Sequence, residues 1–446
     1  MRLGVRFPST GWLRIGMGVK RWMLLLAGGI LLLCHAAASF HELIEPNSWL
    51  AFVTELRPTF VDPIIVITFY FLLGSVLVGV AVYRLNHSLL AAVRRREPAH
   101  VVDMVYQHRV RQRGPKIVAI GGGHGLNTLL RGLKEYTDNI TAIVTVADDG
   151  GSSGRLRRDL GILPPGDFRN CIAALSDAEG LVAQLFQYRF GHDSDLDGHS
   201  FGNLYLTAMT AITGSFEAAL NESSRVLAVR GRVIPSTLAQ VTLDADVCLP
   251  AGYTANGNGA DASAGFAEAC GADEVWQRIR GESAITAARG RVRRVFLEPE
   301  DAPAYPDAIR AILEADLIVA GPGSLFTSVL PNLLVRDLAN AVAAAWGLKV
   351  YVCNVATEAG ETQGYDVDAH VNALRAHVGP SLFRTVLANN AFIGPAPPGI
   401  GVQWVRPPEQ EPQNYRLVVG DLVDRQYPWR HDPTKLAQAL LELIDA

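Results

Sequence analysis

Two adjacent carboxylates followed by small residues are the part of this sequence best suited to chemistry. Asp148 and Asp149 precede Gly150, Gly151 and Ser152. Adjacent carboxylates can hold Mg²⁺ together with water and phosphate oxygens, or accept hydrogen bonds from sugar hydroxyls. The small residues expose backbone N–H groups, which bind anions. We predict a ligand site here with Mg²⁺ as its candidate cofactor, the alternative being that an aspartate caps the following helix.

A glycine loop between a predicted strand and a predicted helix is a second candidate. It comprises Gly121, Gly122, Gly123, His124 and Gly125. Glycines at such a junction let backbone N–H groups approach a phosphate, and the helix dipole favours the anion. The loop lacks a dinucleotide-binding fingerprint, since Leu126 stands where the third glycine is required. A tight turn without a ligand is the alternative.

A matching junction lies far along the chain, where Gly321, Gly323 and Ser324 follow an apolar strand. Asn354 stands at the end of a further predicted strand. Ligands of open α/β sheets bind beyond the carboxyl ends of the strands. Two glycine junctions in one sheet can therefore flank a single crevice that holds a phosphate group.

Four further polar residues are predicted to face this ligand. Asp167 and Asn170 follow a proline-stiffened turn, the alternative for Asp167 being that it caps the helix that begins there. His199 and Asn203 stand just before an apolar helix and could point at a ligand from its N-terminus. A structural role for His199 stays open, because single histidines are more often structural.

Alternating strands and helices must position these residues. Apolar runs predict strands over 117–120, 140–147, 291–297, 317–320 and 350–355. Helical spacing predicts helices over 126–136, 181–188, 204–219 and 434–444. This alternation indicates an α/β fold with a mostly parallel sheet and helices on both faces. The small, polar residues 244–274 are predicted to form a flexible insertion.

Composition narrows the class of function. The chain has 446 residues and a net charge of -4, so a dedicated nucleic-acid binder is not expected. A disulfide framework or zinc site is not expected either, because the cysteines are scattered, and a reducing compartment suits the soluble part. The five cysteines are Cys34, Cys171, Cys248, Cys270 and Cys353.

Two apolar runs, about 22–40 and 63–83, predict a transmembrane hairpin within residues 1–84. Basic residues flank both outer sides, so the positive-inside rule places both termini and residues 116–446 in the cytoplasm. A cleaved signal peptide is the alternative for the first run, and a core helix for the second. The basic linker 85–115 is predicted to contact membrane lipid or to be solvated.

Taken together, these motifs resemble the 2-phospho-L-lactate transferase-like superfamily, and within it the gluconeogenesis-factor branch. The resemblance covers residues 116–446, and its strongest feature is the run from Ala147 to Gly154. Five blocks recur in order: 121–126, 144–157, 164–170, 199–204 and 321–334. Two departures are His124 in place of the usual threonine, and Glu358-Ala359 in place of glutamine and proline.

The resemblance implies a Rossmann-like fold with a cleft for a nucleotide diphosphate. The transferase branch moves a phospholactyl group from a guanosine diphosphate donor to a deazaflavin with Mg²⁺. The gluconeogenesis-factor branch is similar but non-catalytic, and is associated with UDP-sugar binding, cell shape and carbon flow into wall precursors. We therefore expect a membrane-tethered, homo-oligomeric UDP-sugar-binding regulator with a partner enzyme of wall-precursor synthesis. The alternatives are an Mg²⁺-dependent transferase and a membrane scaffold for a partner enzyme.

Overall fold

The computed structural model describes residues 20–44, 61–93, 111–177, 180–191, 195–250, 268–271, 274–394, 397–399 and 401–445. The chain divides into two compact units, Met1–Asp103 and Met104–Ala446.

The first unit contains two apolar helices, α1 (Lys20–Ile44) and α2 (Pro63–Val93). Both are long and apolar enough to cross a bilayer. They approach each other at Gly29 and Gly74, where a Cβ on Gly74 would lie 3.0 Å from the Gly29 carbonyl oxygen. Small residues at such crossings let helix backbones pack closely. Helix α2 continues into the predicted linker, and residues 94–110 lie outside the described part of the chain.

The second unit contains eleven strands among its described residues. They are β1 (Ile117–Gly121), β2 (Ile140–Val144), β3 (Arg232–Pro235), β4 (Thr242–Pro250), β5 (Glu268–Gly271), β6 (Glu274–Arg280), β7 (Arg291–Glu298), β8 (Leu317–Ala320), β9 (Leu348–Val352), β10 (Thr385–Asn389) and β11 (Arg416–Gly420).

Helices connect most of these strands, and a π-helical turn spans Leu325–Val329. The helices are α3 (Gly123–Leu133), α4 (Gly151–Leu160), α5 (Gly166–Leu175), α6 (Gly180–Gln187), α7 (Phe201–Thr213), α8 (Phe216–Val226), α9 (Glu282–Ala288), α10 (Pro306–Leu313), α11 (Leu330–Leu333), α12 (Arg336–Ala344), α13 (Val367–Val378) and α14 (Pro433–Asp445).

Seven strands form one parallel sheet in the order β11-β10-β9-β8-β1-β2-β3. Strands β1, β2, β8 and β10 are buried throughout, as expected for a sheet covered on both faces. This Rossmann-like α/β fold confirms the fold class. Because the strands are parallel, the loops after β1, β2, β8 and β9 all begin on the same side of the sheet, at the carboxyl ends of the strands.

Helix α3 fixes the first of these loops. Leu126, Leu129, Leu130 and Leu133 follow one another at helical spacing, and all four are fully buried. Burying each side chain contributes about 1.5–3 kcal/mol. The glycine loop that precedes α3 is therefore held between a buried strand and a buried helix face.

Several element boundaries differ from the sequence prediction; strand β9, for example, spans Leu348–Val352 instead of 350–355. Strand β2 ends at Val144, so Asp148 and Asp149 follow it in a loop. The helix predicted over 204–219 is two helices, because Gly214 has φ +81° and Ser215 caps the second helix by accepting the Ala218 N–H.

A second, antiparallel sheet has the order β5-β6-β4-β7, and sequence reasoning missed it. The flexible insertion predicted over 244–274 was wrong at both ends, since β4 occupies Thr242–Pro250 and β5 occupies Glu268–Gly271. Leu243, Ala245 and Val247 alternate with polar residues and are fully buried, a strand pattern that the glycine-rich sequence beyond it obscured. Residues 251–267 lie outside the described part of the chain.

The structure also pairs Cys248 with Cys270, a correction to the expectation from the scattered cysteines. The two residues are separated by 22 positions, yet their Cα atoms lie 6.2 Å apart. The antiparallel sheet brings them together, because β4 and β5 both flank β6. Spacing along the chain could not reveal a pairing that depends on this sheet.

Candidate functional site

A cavity of about 330 Å³ lies where the loops after β1, β2 and β8 meet. We call it the strand-end cavity. Its lining residues are Gly122, Gly123, His124, Gly125, Thr145, Asp148, Asp167, Glu282, Gly323, Ser324, Thr327, Ser328 and Glu358.

Glycines let the two junctions approach each other. A Cβ on Gly125 would lie 2.3 Å from the Pro322 carbonyl oxygen, and one on Gly122 would lie 2.4 Å from a carboxylate oxygen of Asp167. Gly123 has φ +62°, a conformation that side chains other than glycine rarely adopt. The steric need for glycine at this junction is therefore a property of the folded site.

The second junction is fastened by Asn354. Its side-chain oxygen accepts the Gly323 N–H at 3.0 Å, and its amide nitrogen donates to the Gly323 carbonyl oxygen at 3.0 Å. The same amide nitrogen donates to Glu358 at 3.2 Å, and the Ser324 hydroxyl also donates to Glu358. Gly321 has φ +80° at the turn out of β8. Asn354 thus positions the loop that lines the cavity.

Carboxylates dominate the cavity wall. Asp167 accepts a hydrogen bond from the Gly123 N–H, while burial and the neighbouring Asp148 raise the pKa of Asp167 to about 7. Burial, followed by the charges of Asp148 and Asp149, raises the pKa of Glu282 to about 8. Burial also raises the pKa of Asp148. None of the described residues that line this cavity is a lysine or an arginine.

These carboxylates fit a hydrated divalent cation shared with a ligand. Among the described residues, the only three potential ligand atoms close enough to surround one ion belong to Cys248, Cys270 and Glu274. In this structure the cysteines of that group are joined in the disulfide and do not offer two separate thiolate ligands. Mg²⁺ usually binds one or two carboxylates and completes its shell with water and phosphate oxygens. Asp148 and Asp167 would hold such an ion.

Asp148 and Asp149 have different surroundings although they are adjacent. Asp148 accepts the Gly150 N–H at 2.9 Å and lines the cavity. Asp149 accepts the Ser283 N–H at 2.8 Å at the start of α9. Asp149 therefore links the parallel sheet to the antiparallel layer, and it does not line the strand-end cavity.

Ser152, His199 and Asn203 form a separate buried cluster between α4 and α7. The Ser152 hydroxyl lies 3.0 Å from His199 Nδ1 and accepts the Asn203 side-chain N–H at 3.0 Å. Burial lowers the pKa of His199. None of the three lines the strand-end cavity. Their packing resembles a structural polar cluster.

The remaining predicted residues lie beside the cavity. The Asn170 side-chain oxygen accepts from the Arg169 guanidinium at 2.9 Å. The Gly121 carbonyl oxygen accepts from the Asn332 side chain at 3.0 Å. Gly150 is the N-cap residue of α4, and Gly151, the first residue of that helix, has φ +47°. Asn170, Gly121, Gly150 and Gly151 are absent from the cavity wall.

Three acidic residues were not proposed from the sequence. Glu282 comes from the antiparallel layer, for which the sequence carried no site signal. Glu358 follows Asn354 by four residues, a spacing that could have been noticed. Glu361 is 4% exposed and accepts from Thr327 at 2.8 Å, while burial and the nearby Glu358 raise its pKa to about 8.

A second cavity of about 590 Å³ adjoins the first. Both are lined by His124, Gly125, Gly323 and Glu358. The adjoining cavity also presents Arg131, Trp429 and Arg430, together with Pro397 and Pro398. The two cavities form one cleft with an acidic end and an end that carries cationic and aromatic side chains.

The sequence profile of 2-phospho-L-lactate transferase CofD matches residues 117–442. The chain belongs to this family. The match begins at β1 and includes every residue of the strand-end cavity. It therefore confirms the superfamily that the motifs indicated.

Relatives identify the branch of the family. The gluconeogenesis factor of Bacillus subtilis is 44% identical and aligns with 74% of this chain and 98% of its own. A relative from Nostoc sp. is 43% identical and aligns with 97% of this chain and 91% of its own. The chain is thus a homologue of gluconeogenesis factors. The Nostoc alignment extends into the apolar helices, since it leaves only a few residues unmatched.

A solved structure supports the fold. The crystal structure of a UPF0052 family protein from Bacillus halodurans has a TM-score of 0.64 and 39% identity. The superposition covers 74% of this chain and 99% of the B. halodurans chain. The B. halodurans protein, which is folded in its crystal, consists almost wholly of the part that it shares with this chain.

Proposed function

We propose that the second unit binds a nucleoside diphosphate sugar, a UDP-sugar in particular, and regulates metabolism without catalysis. The observation that carries this proposal is the continuous cleft formed by the strand-end cavity and the adjoining cavity. Its acidic end has two glycine junctions for a diphosphate, and its wider end has room for a nucleoside or sugar. Trp429, Arg131 and Arg430 offer stacking and hydrogen bonding there.

A cation is needed for this ligand. A diphosphate carries negative charge, and Asp148, Asp167 and Glu282 line the place where it would bind. Mg²⁺ bound by Asp148 and Asp167 would offset this repulsion and bridge to phosphate oxygens. The N–H groups at the start of α3 and the dipole of that helix would add to the attraction.

Calorimetry with UDP-N-acetylglucosamine tests this proposal. We expect binding in the presence of Mg²⁺ and at least ~10-fold weaker binding after its removal with chelator. Asp148→Asn should weaken binding by a similar factor, because it removes a charge that faces the cation. Asp149→Asn is the matched control, since that side chain contacts α9 instead. Absence of binding by any UDP-sugar, with or without Mg²⁺, would contradict the proposal.

A regulatory role in carbon flow fits the names of the relatives. We propose that ligand binding reports the supply of wall precursors, and that the protein acts on a partner enzyme and on cell shape. A deletion strain should grow poorly on gluconeogenic carbon sources, and the Asp148→Asn variant should fail to restore growth. If that variant restored growth, the cellular role would not depend on ligand binding in the cleft.

A transferase is the second candidate, and Asp167 is the observation in its favour. With a pKa of about 7, its carboxyl could exchange a proton near neutral pH. Nucleotide release from a phospholactyl-guanosine donor with a deazaflavin acceptor would distinguish the two functions. We expect no turnover.

We propose that α1 and α2 cross the cell membrane and leave both termini and the second unit in the cytoplasm. Arginine and lysine residues flank the outer sides of the two apolar runs, which supports this orientation. In a reducing cytoplasm, Cys248 and Cys270 should react as thiols when cells are quenched with an alkylating reagent. Recovery of the pair as a disulfide from quenched cells would place the unit on the opposite side.

A further inference from the structure

Two cysteines and a glutamate meet near the β5 edge of the antiparallel sheet. Cys248 lies in β4, Cys270 in β5 and Glu274 at the start of β6. Their two sulfur atoms and one carboxylate oxygen all lie within 4.8 Å of one another. None of the three residues lines either cavity of the cleft. The proposed ligand therefore gives these residues, which we call the cysteine–glutamate group, no role.

The strand pairing brings these side chains together. Cys248 stands opposite Trp276 in β6, and Glu274 lies two residues earlier in that strand, on the same face. Cys270 falls at an irregularity of β5, just before Gly271, which pairs with Glu274. The two strands that flank β6 thus each direct a sulfur atom towards a carboxylate on β6. The cysteines are too far apart in sequence to suggest such a group, and only the sheet reveals it.

The spacing of these atoms is close to that of ligands around a zinc ion. The carboxylate oxygen of Glu274 lies 3.3 Å from Sγ of Cys248. With Zn–S bonds of about 2.3 Å and Zn–O bonds of about 2.1 Å, tetrahedral geometry places sulfur and oxygen about 3.6 Å apart and two sulfurs about 3.8 Å apart. Rotation of the two cysteine side chains can widen the sulfur pair to that spacing once the bond between them is broken.

We propose that, when the disulfide is reduced, Cys248, Cys270 and Glu274 bind a zinc ion, with water as the fourth ligand. Zinc takes thiolate and carboxylate ligands in four-coordinate sites, and soft thiolates favour it over Mg²⁺. Glu274 is exposed and Cys270 is half-buried, so an ion can reach the group from solvent.

Reduction comes before zinc binding. A dithiol supplies two electrons and two protons, so the S–S bond breaks and two thiols form while the dithiol becomes a disulfide. Zinc then forms two Zn–S bonds and displaces the two thiol protons to solvent, and the Glu274 carboxylate supplies the third bond. The reducing cytoplasm proposed for this unit would maintain the zinc-binding state. Denaturation frees both thiols for alkylation, so a zinc-bound pair is still recovered as reduced.

The zinc ion would take over the link that the disulfide makes between β4 and β5. The two cysteines are separated by 22 positions, and joining them restricts the unfolded chain. Because a metal that binds the folded chain stabilises it, zinc should raise the unfolding temperature of the reduced protein by a few degrees.

Metal titration of the full chain in detergent tests the proposal. The protein is first reduced with a phosphine and stripped of metal with a chelator. Zinc should then bind, as measured by calorimetry. Cobalt(II), a spectroscopic substitute for zinc, should give the charge-transfer absorption of cobalt–thiolate bonds. The protein that has not been reduced should not give this absorption.

Variants of the three ligands identify the site. C248S/C270S should bind zinc at least ~100-fold more weakly and lose the cobalt–thiolate absorption, because both sulfur ligands are gone. Glu274→Gln should weaken zinc binding about 10-fold and keep the absorption. Glu298→Gln, at another exposed glutamate of the same sheet, is the matched control and should leave zinc affinity unchanged.

Other zinc ligands are separated by two further comparisons. C248S/C270S keeps Cys34, Cys171 and Cys353, so zinc bound to those thiols would persist in it. Asp148→Asn removes a carboxylate of the cleft and should keep the cobalt–thiolate absorption.

Three results would overturn the proposal. They are the lack of a cobalt–thiolate absorption in the reduced protein, its persistence in C248S/C270S, and equal zinc affinities of Glu274→Gln and Glu298→Gln. Circular dichroism checks the fold, and the comparison of the two glutamate variants decides if C248S/C270S does not fold. Calorimetry with UDP-N-acetylglucosamine on the same proteins tests the cleft separately, so failure of one proposal does not imply failure of the other.

Discussion

At the scale of single residues, neighbours in sequence have different tasks. Asp148 faces the strand-end cavity, whereas Asp149 contacts the first turn of α9. Ser152, four residues after Asp148, joins His199 and Asn203 in a buried cluster. The side chains that share the cavity are instead drawn from segments as distant as Asp167 and Glu358.

The Ser152 cluster gives a prediction that separates structure from binding. Ser152→Ala would leave the buried His199 Nδ1 and the Asn203 amide without their hydrogen-bond partner. We expect the free energy of unfolding to fall by about 1–3 kcal/mol, because unpaired buried polar groups are costly. Denaturant titration measures this loss. UDP-sugar affinity should stay unchanged at temperatures where the variant is folded, and a loss of affinity would assign the cluster to the site.

At the scale of elements, the site depends on two strand–glycine–helix junctions held side by side. Strands β1 and β8 are neighbours in the sheet, so their loops leave at the same edge. Gly125 contacts the Pro322–Gly323 backbone, and Asn354 fastens Gly323. The geometry of the cavity therefore follows from strand order together with the absence of a side chain at Gly125.

Gly125→Ala tests this account of the junction. The added Cβ would lie 2.3 Å from the Pro322 carbonyl oxygen, so one loop must move. We expect a loss of about 1–3 kcal/mol in the free energy of unfolding and weaker UDP-sugar binding. Gly121→Ala is the control, because its Cβ would meet Leu126 at an ordinary 3.7 Å. Equal effects of the two substitutions would refute the close-approach argument.

At the scale of the whole molecule, the cleft gathers carboxylates from both sheets. Asp148 and Asp167 follow the parallel sheet, whereas Glu282 belongs to the antiparallel layer. Burial, and then the charge of neighbouring carboxylates, raises the pKa values of these three groups. Holding these carboxylates ionised in a buried site is therefore unfavourable, and a bound cation would offset that repulsion.

Glu361, which accepts a hydrogen bond from the cavity residue Thr327, predicts how stability depends on pH. The folded pKa of Glu361 is about 8 against an ordinary 4.5, so the folded chain binds more protons than the unfolded chain between these values. The contribution of this group to stability should be fully present below about pH 4.5 and be lost as pH rises from there through about 8, by up to about 5 kcal/mol. Scanning calorimetry across this range measures the trend. Glu361→Gln should make the slope less steep without removing it, because Asp167 and Glu282 also have raised pKa values. An unchanged slope would contradict the raised pKa of Glu361.

The sequence by itself determined the fold class, the family and the loops that line the cleft. Buried strands such as β1 and β8 are short apolar runs, and their flanking glycines mark the junctions, because these signals are local. The two apolar helices are equally local signals of length and composition.

Only the tertiary structure decided which polar side chains meet. The antiparallel sheet, the Cys248–Cys270 pair and the approach of Glu282 all depend on contacts between distant segments. The side chains of Asp148 and Asp149 lie in different surroundings because of the backbone conformation of one loop, which composition does not specify. Local sequence patterns determine the helices and strands. Packing between distant segments determines where each side chain points and which side chains it contacts. The arrangement of carboxylates in the cleft could therefore be seen only in the folded chain.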